Sequence, residues 1–257
     1  MLGLFEALAL EAGRAIMRVF EAGFAVEDKA DHSPVTEADR MSERIILEGL
    51  RTSFPDMICV AEEETSAGVR PGEIGRAFFL IDPLDGTKEF VSGRDEFTVN
   101  IALICDGAPA IGVVFAPCSK RFFSGRPGLA QTVLIGDDYA VRARQPVNVR
   151  KQARPPVVLA SRSHNTPETE DYIAGLGIAD VTAIGSSLKF CLLAAGEADI
   201  YPRFSRTMEW DTAAGDAVLR AAGGMTCTQD GAPLAYGKRN RGCDVDFSNP
   251  FFIAKGG

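Results

Sequence analysis

The sequence predicts a mixed α+β fold, and three observations carry that reading. Apolar residues recur at helical spacing in two long N-terminal segments. Short apolar runs follow, two of them flanking the turn pair Asp106-Gly107. Later in the chain, strand-like and helix-like segments alternate. The Asp-Gly pair signals an antiparallel hairpin, so a purely parallel sheet is not expected.

Leu4, Leu8, Ala12, Ala15, Ile16 and Val19 mark an amphipathic helix over residues 2–21. Thr36 is suited to cap a second helix running from about Glu37 to Arg51, with Met41, Ile45 and Leu50 toward the core and Pro55 beyond its end. Strands are expected at 58–62, 77–81, 98–105 and 110–116. Residues 124–150, with Pro127, Gly128, Gly136 and Pro146, read as a loop-rich middle. Beyond it VVLASRS reads as a strand, and PETEDYIAGLG as a helix stopped by glycine. GSSLKFCLLAAGEADIYPRF reads as a helix leading into a strand, and WDTAAGDAVLRAAGG as a helix ending in a double glycine. Strands near 225–228 and 250–254 close the chain, and a boundary between two halves is placed near residue 148, giving 1–148 and 149–257.

A chain of 257 residues with 46% hydrophobic and 24% charged residues can bury a sizeable core. Its net charge of −8 argues against a surface for polymeric nucleic acid, though a local basic pocket for a small anion remains compatible with it. No apolar run approaches the roughly 20 residues of a membrane span, which leaves only peripheral membrane association open. The N-terminus lacks the basic start and small-residue cleavage site of a signal peptide. The six scattered cysteines form no CxxC pair and read as buried thiols in a reducing cytoplasm.

Carboxylates gather at element ends in four segments: Asp39, the run Glu62-Glu63-Glu64, Asp82 with Asp85, and Asp211. Any one alone reads as a cap or a solvated turn. Asp82 and Asp85 stand apart because they follow a buried run directly and flank a Pro-Leu bend. Several carboxylates converging from different elements suit Mg²⁺, and two histidines are too few for a His-rich zinc or iron site. Gly86 permits close backbone approach to a phosphate, and the Thr87 hydroxyl can bond a phosphate oxygen or a water.

Four blocks, K-x-D-x-S-P-V-T-x-A-D (29–39), A-E-E (61–63), DPLDGTKEF (82–90) and GSSLKFCLLAAGEADIYPRF…EWDTAAGDAVLRAAGG (185–224), together resemble the inositol monophosphatase superfamily. Within it the chain most resembles 3′(2′),5′-bisphosphate nucleotidases of the CysQ type. The resemblance implies a layered α-β-α-β-α sandwich and a lithium-sensitive, Mg²⁺-dependent phosphatase. The implied reaction hydrolyses the 3′-phosphate of adenosine 3′,5′-bisphosphate (PAP) to leave AMP, with its sulfated precursor PAPS as a further implied substrate. It further implies Glu62, Asp82, Asp85, Asp211 and the Leu84 carbonyl as ligands for on the order of two or three ions. Asp39 and Thr87, with Glu62 nearby, match the pair that orients the attacking water. Gly86 and Thr87 match phosphate contacts, and Gly185, Ser186 and Ser187 line the substrate wall. Metal-activated water would attack in line, with no covalent intermediate. Glu64 falls on the face of Glu62 if the strand continues through it.

Inositol phosphatases carry an acid shortly after the A-D-x-Y stretch, where this chain has Arg203; Lys189 is a second departure toward positive charge. Both favour a second phosphate over a neutral polyol, and Arg203 or Lys189 is expected to read it. The alternative for Arg203 is an ion pair with an acid such as Glu209. An inositol-1-phosphate or other sugar phosphatase, and a metal-binding regulator without activity, remain the rival functions. A covalent haloacid-dehalogenase-like phosphatase also has Asp-x-Asp-Gly-Thr, but here two residues separate the aspartates, and Glu62 and Asp211 go unexplained. Trp210 is expected to pack at a helix start, His32 to lie in a solvated loop near Asp31 and Ser33, and Cys191 to be buried. Lys238, Arg239 and Arg241 read as a solvated basic cluster, and the assembly as a monomer or homodimer.

Overall fold

The structure, a computed structural model, describes residues 1–29, 34–177, 180–242 and 244–257. The readings of Asp31, His32, Ser33 and Cys243 lie outside the described residues. The chain opens with α1 (Leu2–Ala22), the pair β1 (Val26–Asp28) and β2 (Pro34–Thr36), and α2 (Glu37–Ser53). Then come β3 (Ile58–Ala61), α3 (Glu62–Ser66), β4 (Ala77–Asp85), α4 (Thr87–Val91), β5 (Thr98–Cys105) and β6 (Ala108–Ala116). β7 (Arg121–Arg126), β8 (Leu129–Ile135) and β9 (Val141–Pro146) complete a seven-stranded sheet in the order β3-β4-β5-β6-β7-β8-β9. Past it lie β10 (Val157–Ser161), α5 (Pro167–Gly175), β11 (Asp180–Ile184), α6 (Leu188–Ala194), β12 (Ile200–Arg203), α7 (Trp210–Ala221), β13 (Met225–Thr228) and β14 (Phe252–Lys255). Their strands form a second sheet in the order β11-β10-β12-β14-β13.

The layers run α-β-α-β-α, as expected. Helices α1 and α2 cover one face of the large sheet, where Phe5, Ile16, Ile46 and Leu50 meet Phe79, Ile101 and Phe115. Helices α6 and α7 fill the space between the sheets, with Phe190, Ala214 and Val218 among Val114, Tyr201 and Phe252. Helix α5 packs beyond the small sheet, against β12. The hairpin at Asp106-Gly107 forms with both residues at positive φ, 51° and 76°, the primed-turn geometry that matches strand twist. Among the described residues no helix is long and apolar enough to cross a membrane.

Three expectations need correction. The middle segment is not loop but the β7–β8–β9 meander, whose turn residues Pro127-Gly128 and Gly136 close hairpins. Strand β9 is exposed throughout, so it carries no alternation of apolar and polar residues to read. The core face of α2 is rotated from the expected stripe: Ile46 and Leu47 are buried with Leu50, while Met41 and Ile45 are only partly so. Finally, β3 stops at Ala61 and the glutamate run begins a helix. Glu64 accordingly turns away from Glu62 to pair with Arg51, whereas Glu62 and Glu63 share Lys29.

Helix α7 lies unusually close to the large sheet because that sheet has glycine beneath it. A methyl group at Gly112 would sit 2.3 Å from the Ala214 carbonyl oxygen, and one at Gly125 would sit 2.6 Å from Val218 Cα. Gly112→Ala must push α7 away and is expected to cost about 1–3 kcal/mol. A thermal melt should show this as a fall of roughly 2–12 °C. Gly3→Ala, on open helix surface, should leave the melting temperature unchanged or slightly raised. Equal melting of Gly112→Ala and the parent protein would rule out the close approach.

Candidate active site

The site grows from an irregularity in β4. Between Asp82 and Asp85 the pairing with β5 slips: Asp82 faces Asn100, yet Asp85 faces Thr98. Three steps on one strand oppose two on the other, and such a bulge re-aims side chains at the strand end. Gly86 follows at φ 92°, in the left-handed region, and turns the chain into α4 at Thr87.

Glu62, Asp82, Asp85 and Asp211 line one cavity of about 950 Å³ between the two sheets. Each aspartate is held by one oxygen. Leu84 N–H donates to Asp82 Oδ1 (3.1 Å), Ser187 N–H to Asp85 Oδ2 (2.5 Å) and Met208 N–H to Asp211 Oδ2 (2.8 Å). Asn100, itself bonded by the Ser187 hydroxyl, also reaches Asp85 Oδ2 at 3.4 Å. The ordinary capping role of aspartate and a ligand role therefore coexist: among the described residues the second oxygens of Asp85 and Asp211 are left for another partner, and Asp82 also meets the Glu62 carboxyl.

Electrostatics set these groups apart. Burial, then repulsion from Glu62, Asp85 and Asp211, pushes the Asp82 carboxyl well above the usual range. Asp211 is raised well above it too, by burial and then by Asp85 and Glu62. Asp85 is pushed up to about 6, mainly by burial, despite the ammonium of Lys189. Lys29 supplies counter-charge at one end, its Nζ 2.8 Å from Glu62 and 2.6 Å from Glu63.

Asp39 and Thr87 meet as the sequence suggested. Asp39 is the third residue of α2 and closes a capping box: its Oδ2 accepts the Thr36 N–H (2.8 Å) and hydroxyl (2.7 Å). Its Oδ1 lies 3.2 Å from the Thr87 hydroxyl, which is also 3.2 Å from the Leu84 carbonyl. One hydroxyl proton is thus within reach of two acceptors. Burial raises the Asp39 carboxyl above its ordinary value.

The facing wall is positive. Gly185, Ser186 and Ser187 line the cavity at the head of α6, with Ser186 at φ 50°. Buried Lys189 donates to the carbonyls of Ile184 (3.0 Å) and Ser186 (2.6 Å), so it shapes that turn, and burial pushes its ammonium down to about 8. Arg203 is 7% exposed; its Nη2 donates to the Arg206 carbonyl (3.4 Å), while its Nε is buried with no hydrogen-bond partner among the described residues. The expected alternative partner, Glu209, instead holds Lys238 and the N–H groups of Gly237 and Lys238. Arg239 donates to the Pro71 and Gly72 carbonyls and Arg241 to Ser248, so this basic cluster ties loops together rather than standing free in solvent. Trp210 is buried at the start of α7 against Phe247, and Cys191 is buried in α6.

Two residues of this wall were not singled out from the sequence. His164 and Lys88 face each other at 3.1 Å beside Arg203. They arrive through a seam in which consecutive residues after β10 each grip the large-sheet half. Arg162 forks onto Glu96 (2.9 and 2.6 Å), Ser163 bonds Glu89, and His164 meets Lys88. The basic and polar run SRSH was the available signal, but nothing local says which half it touches.

The oxygen-only donor set fits a hard divalent cation, since four carboxylates repel one another with incomplete neutralisation by lysine. Among the described residues no three such side chains are already drawn around a single point. They line the cavity instead, with Lys29 between Glu62 and Glu63.

The inositol monophosphatase family matches residues 1–247. The 3′(2′),5′-bisphosphate nucleotidase CysQ of Escherichia coli K12 is 46% identical over 247 residues, 95% of either chain. The enzyme of that name from Buchnera aphidicola is 38% identical over 96% of this chain and 90% of its own. Among solved structures, CysQ from Bacteroides thetaiotaomicron superposes with a TM-score of 0.78 at 34% identity, covering 99% of this chain and 97% of that one. The Thermotoga maritima IMPase shares the fold with a TM-score of 0.75 at 24% identity, covering 99% and 91% of the two chains.

His164 offers a direct probe of the positive wall. Although one edge is exposed, burial of the other, then Arg203 and Lys88, push its imidazole down to about 4. An NMR titration should find it neutral well below pH 6.5 in the free protein, and AMP should raise its midpoint by offsetting the neighbouring charges. A midpoint near 6.5 that AMP leaves unmoved would contradict this wall.

Proposed function

Because the chain belongs to the inositol monophosphatase family, we propose that it is a cytoplasmic 3′(2′),5′-bisphosphate nucleotidase. It removes the 3′-phosphate of PAP to leave AMP, in nucleotide recycling linked to sulfur assimilation; PAPS is a second substrate, which loses the same phosphate to leave adenosine 5′-phosphosulfate. The observation that carries this reading is the cavity with two walls of opposite charge. Carboxylates that call for Mg²⁺ stand on one side, and nearly buried Arg203, its Nε without a hydrogen-bond partner among the described residues, stands on the other, where His164 meets Lys88. A substrate with one phosphate would leave Arg203 unpaired, which is costly in a buried setting. The 46% identity to a nucleotidase supports the same choice.

Glu62, Asp82, Asp85, Asp211 and the Leu84 carbonyl would hold on the order of two or three Mg²⁺ ions. When bound, these ions supply Lewis acidity to the phosphoryl oxygens and make a water a better nucleophile near neutral pH. The remaining work falls to the chain. With its proton directed to Asp39 Oδ1, the Thr87 hydroxyl presents a lone pair that can accept a hydrogen bond from water and so orient it. The capping box locks Asp39 so that only Oδ1 faces Thr87. Gly86, at positive φ, exposes the backbone N–H groups entering α4 to the scissile phosphate. Lys189 holds the Gly185–Ser187 turn against the substrate, and Arg203 binds the second phosphate.

Phosphate release from PAP, PAPS, inositol-1-phosphate and fructose-1,6-bisphosphate, with and without Mg²⁺, tests the assignment. PAP should lead, and only with metal; a preference for inositol-1-phosphate would overturn the reading. Asp85→Asn should lower kcat at saturating Mg²⁺ by about 100-fold or more. Arg203→Glu should cut the preference for PAP over 3′-AMP, which lacks the second phosphate, by roughly 30-fold. An unchanged ratio would remove Arg203 from that role.

A further inference from the structure

Helix α2 reaches the site at three points through one face. Asp39, Ser42 and Glu43, at spacings i, i+3 and i+4, lie side by side on it. Asp39 meets Thr87; Ser42 donates to the Pro83 carbonyl (2.7 Å) inside the Asp82–Asp85 turn. Glu43 reaches the third segment. Its Oε2 accepts the Glu63 N–H at 2.8 Å and its Oε1 the Glu64 N–H at 2.9 Å.

Those two N–H groups open α3, a helix of five residues with no side-chain cap from its own N-cap residue, Ala61. So short a helix does not hold itself together, because nucleation costs more than its few hydrogen bonds return. Its first residue is Glu62. Glu43 is 6% exposed, and its burial is costly enough to push its carboxyl up to about 7. An apolar side chain would fill the same space without that cost, so the carboxylate is accounted for by the two bonds it makes.

We propose that Glu43 is a positioning residue for Glu62: by holding the first turn of α3, it sets the direction in which the Glu62 carboxylate leaves the end of β3. This rests on the reading of Glu62 as a metal ligand. The Arg51–Glu64 pair secures the outer side of α3 at an exposed position, where it is worth less. Glu43 acts from inside.

Glu43→Gln tests the proposal, because an amide offers one acceptor and turns an NH₂ against the second N–H. Amide exchange at Glu63 and Glu64 should accelerate in this variant. The Mg²⁺ midpoint, followed by fluorescence of Trp210, the only tryptophan and the neighbour of Asp211, should rise by about tenfold. Turnover of PAP at saturating Mg²⁺ should stay within about threefold of the parent, since the metal still binds when supplied in excess. Glu6→Gln is the control: Glu6 is a buried carboxylate on α1 bonded to Ser124, Gln131 and Arg144, away from the cavity. It should lower stability and leave the Mg²⁺ midpoint in place.

An unmoved midpoint in Glu43→Gln, or an equal shift in Glu6→Gln, overturns the proposal. Should Glu43→Gln fail to fold, the parent protein still decides. Without Mg²⁺, its Glu63 and Glu64 amides must be protected as well as those of α2, and exchange at free-peptide rates refutes the role. A parent that binds Mg²⁺ but leaves PAP intact refutes the nucleotidase reading alone; one blind to Mg²⁺ refutes both.

Discussion

Four carboxylates gathered along one cavity, with Asp82 fully buried among them, are the constraint on which the rest of the structure turns. Buried like charges repel far more strongly than they would in water, and Asp82, Asp85 and Asp211 resist ionisation. Asp82 and Asp211 carry that cost most heavily, each raised by burial and by the others. A chain that only needed stability would not gather them. Every neighbouring element is bent toward holding them apart yet aimed inward: a bulge in β4, a backbone N–H for each aspartate, a lysine between two glutamates.

The two sheets divide the labour by charge. The large sheet and its helices carry Asp39, Glu62, Asp82, Asp85 and Thr87. The small sheet and the turn after β10 carry Arg203 and His164, and α6 between the sheets carries Lys189. Asp211 crosses between them, because α7 belongs to the later part of the chain but packs on the large sheet. Arg162, Ser163 and His164 tie the seam from the other side, each to a different residue.

Much of this was legible in the sequence, and what was not has physical causes. DPLDGT announces itself because acids directly after a buried run have few bland explanations, and Thr36 caps α2 as its residue type suggests, with Asp39 closing the box in the structure. The helices α1, α5, α6 and α7 follow from periodicity and their stop signals. β9 and β11 were invisible because both are exposed edge strands whose side chains carry no burial pattern. The glutamate run misled because alternation is assumed to continue until something ends it, and β3 ends at Ala61 without proline or glycine. The face of α2 misled because Ser42 and Glu43 are buried polar residues, placed there by bonds to distant backbone rather than by hydrophobicity. His164 was passed over because its meaning lies in Lys88 and Arg203, 76 and 39 positions away in the sequence.

The glycines beneath α7 have a consequence beyond packing. Gly112 and Gly125 let that helix sink into the large sheet, and with it the small sheet that rests on its other side. The acidic wall is anchored to the first sheet and Arg203 to the second. The gap between the two charged walls is therefore gauged by the thickness of a helix layer, as the jaws of a caliper are set by its screw. In a phosphatase for two-phosphate substrates, the distance between phosphates that the enzyme accepts would be written in small residues that touch neither phosphate.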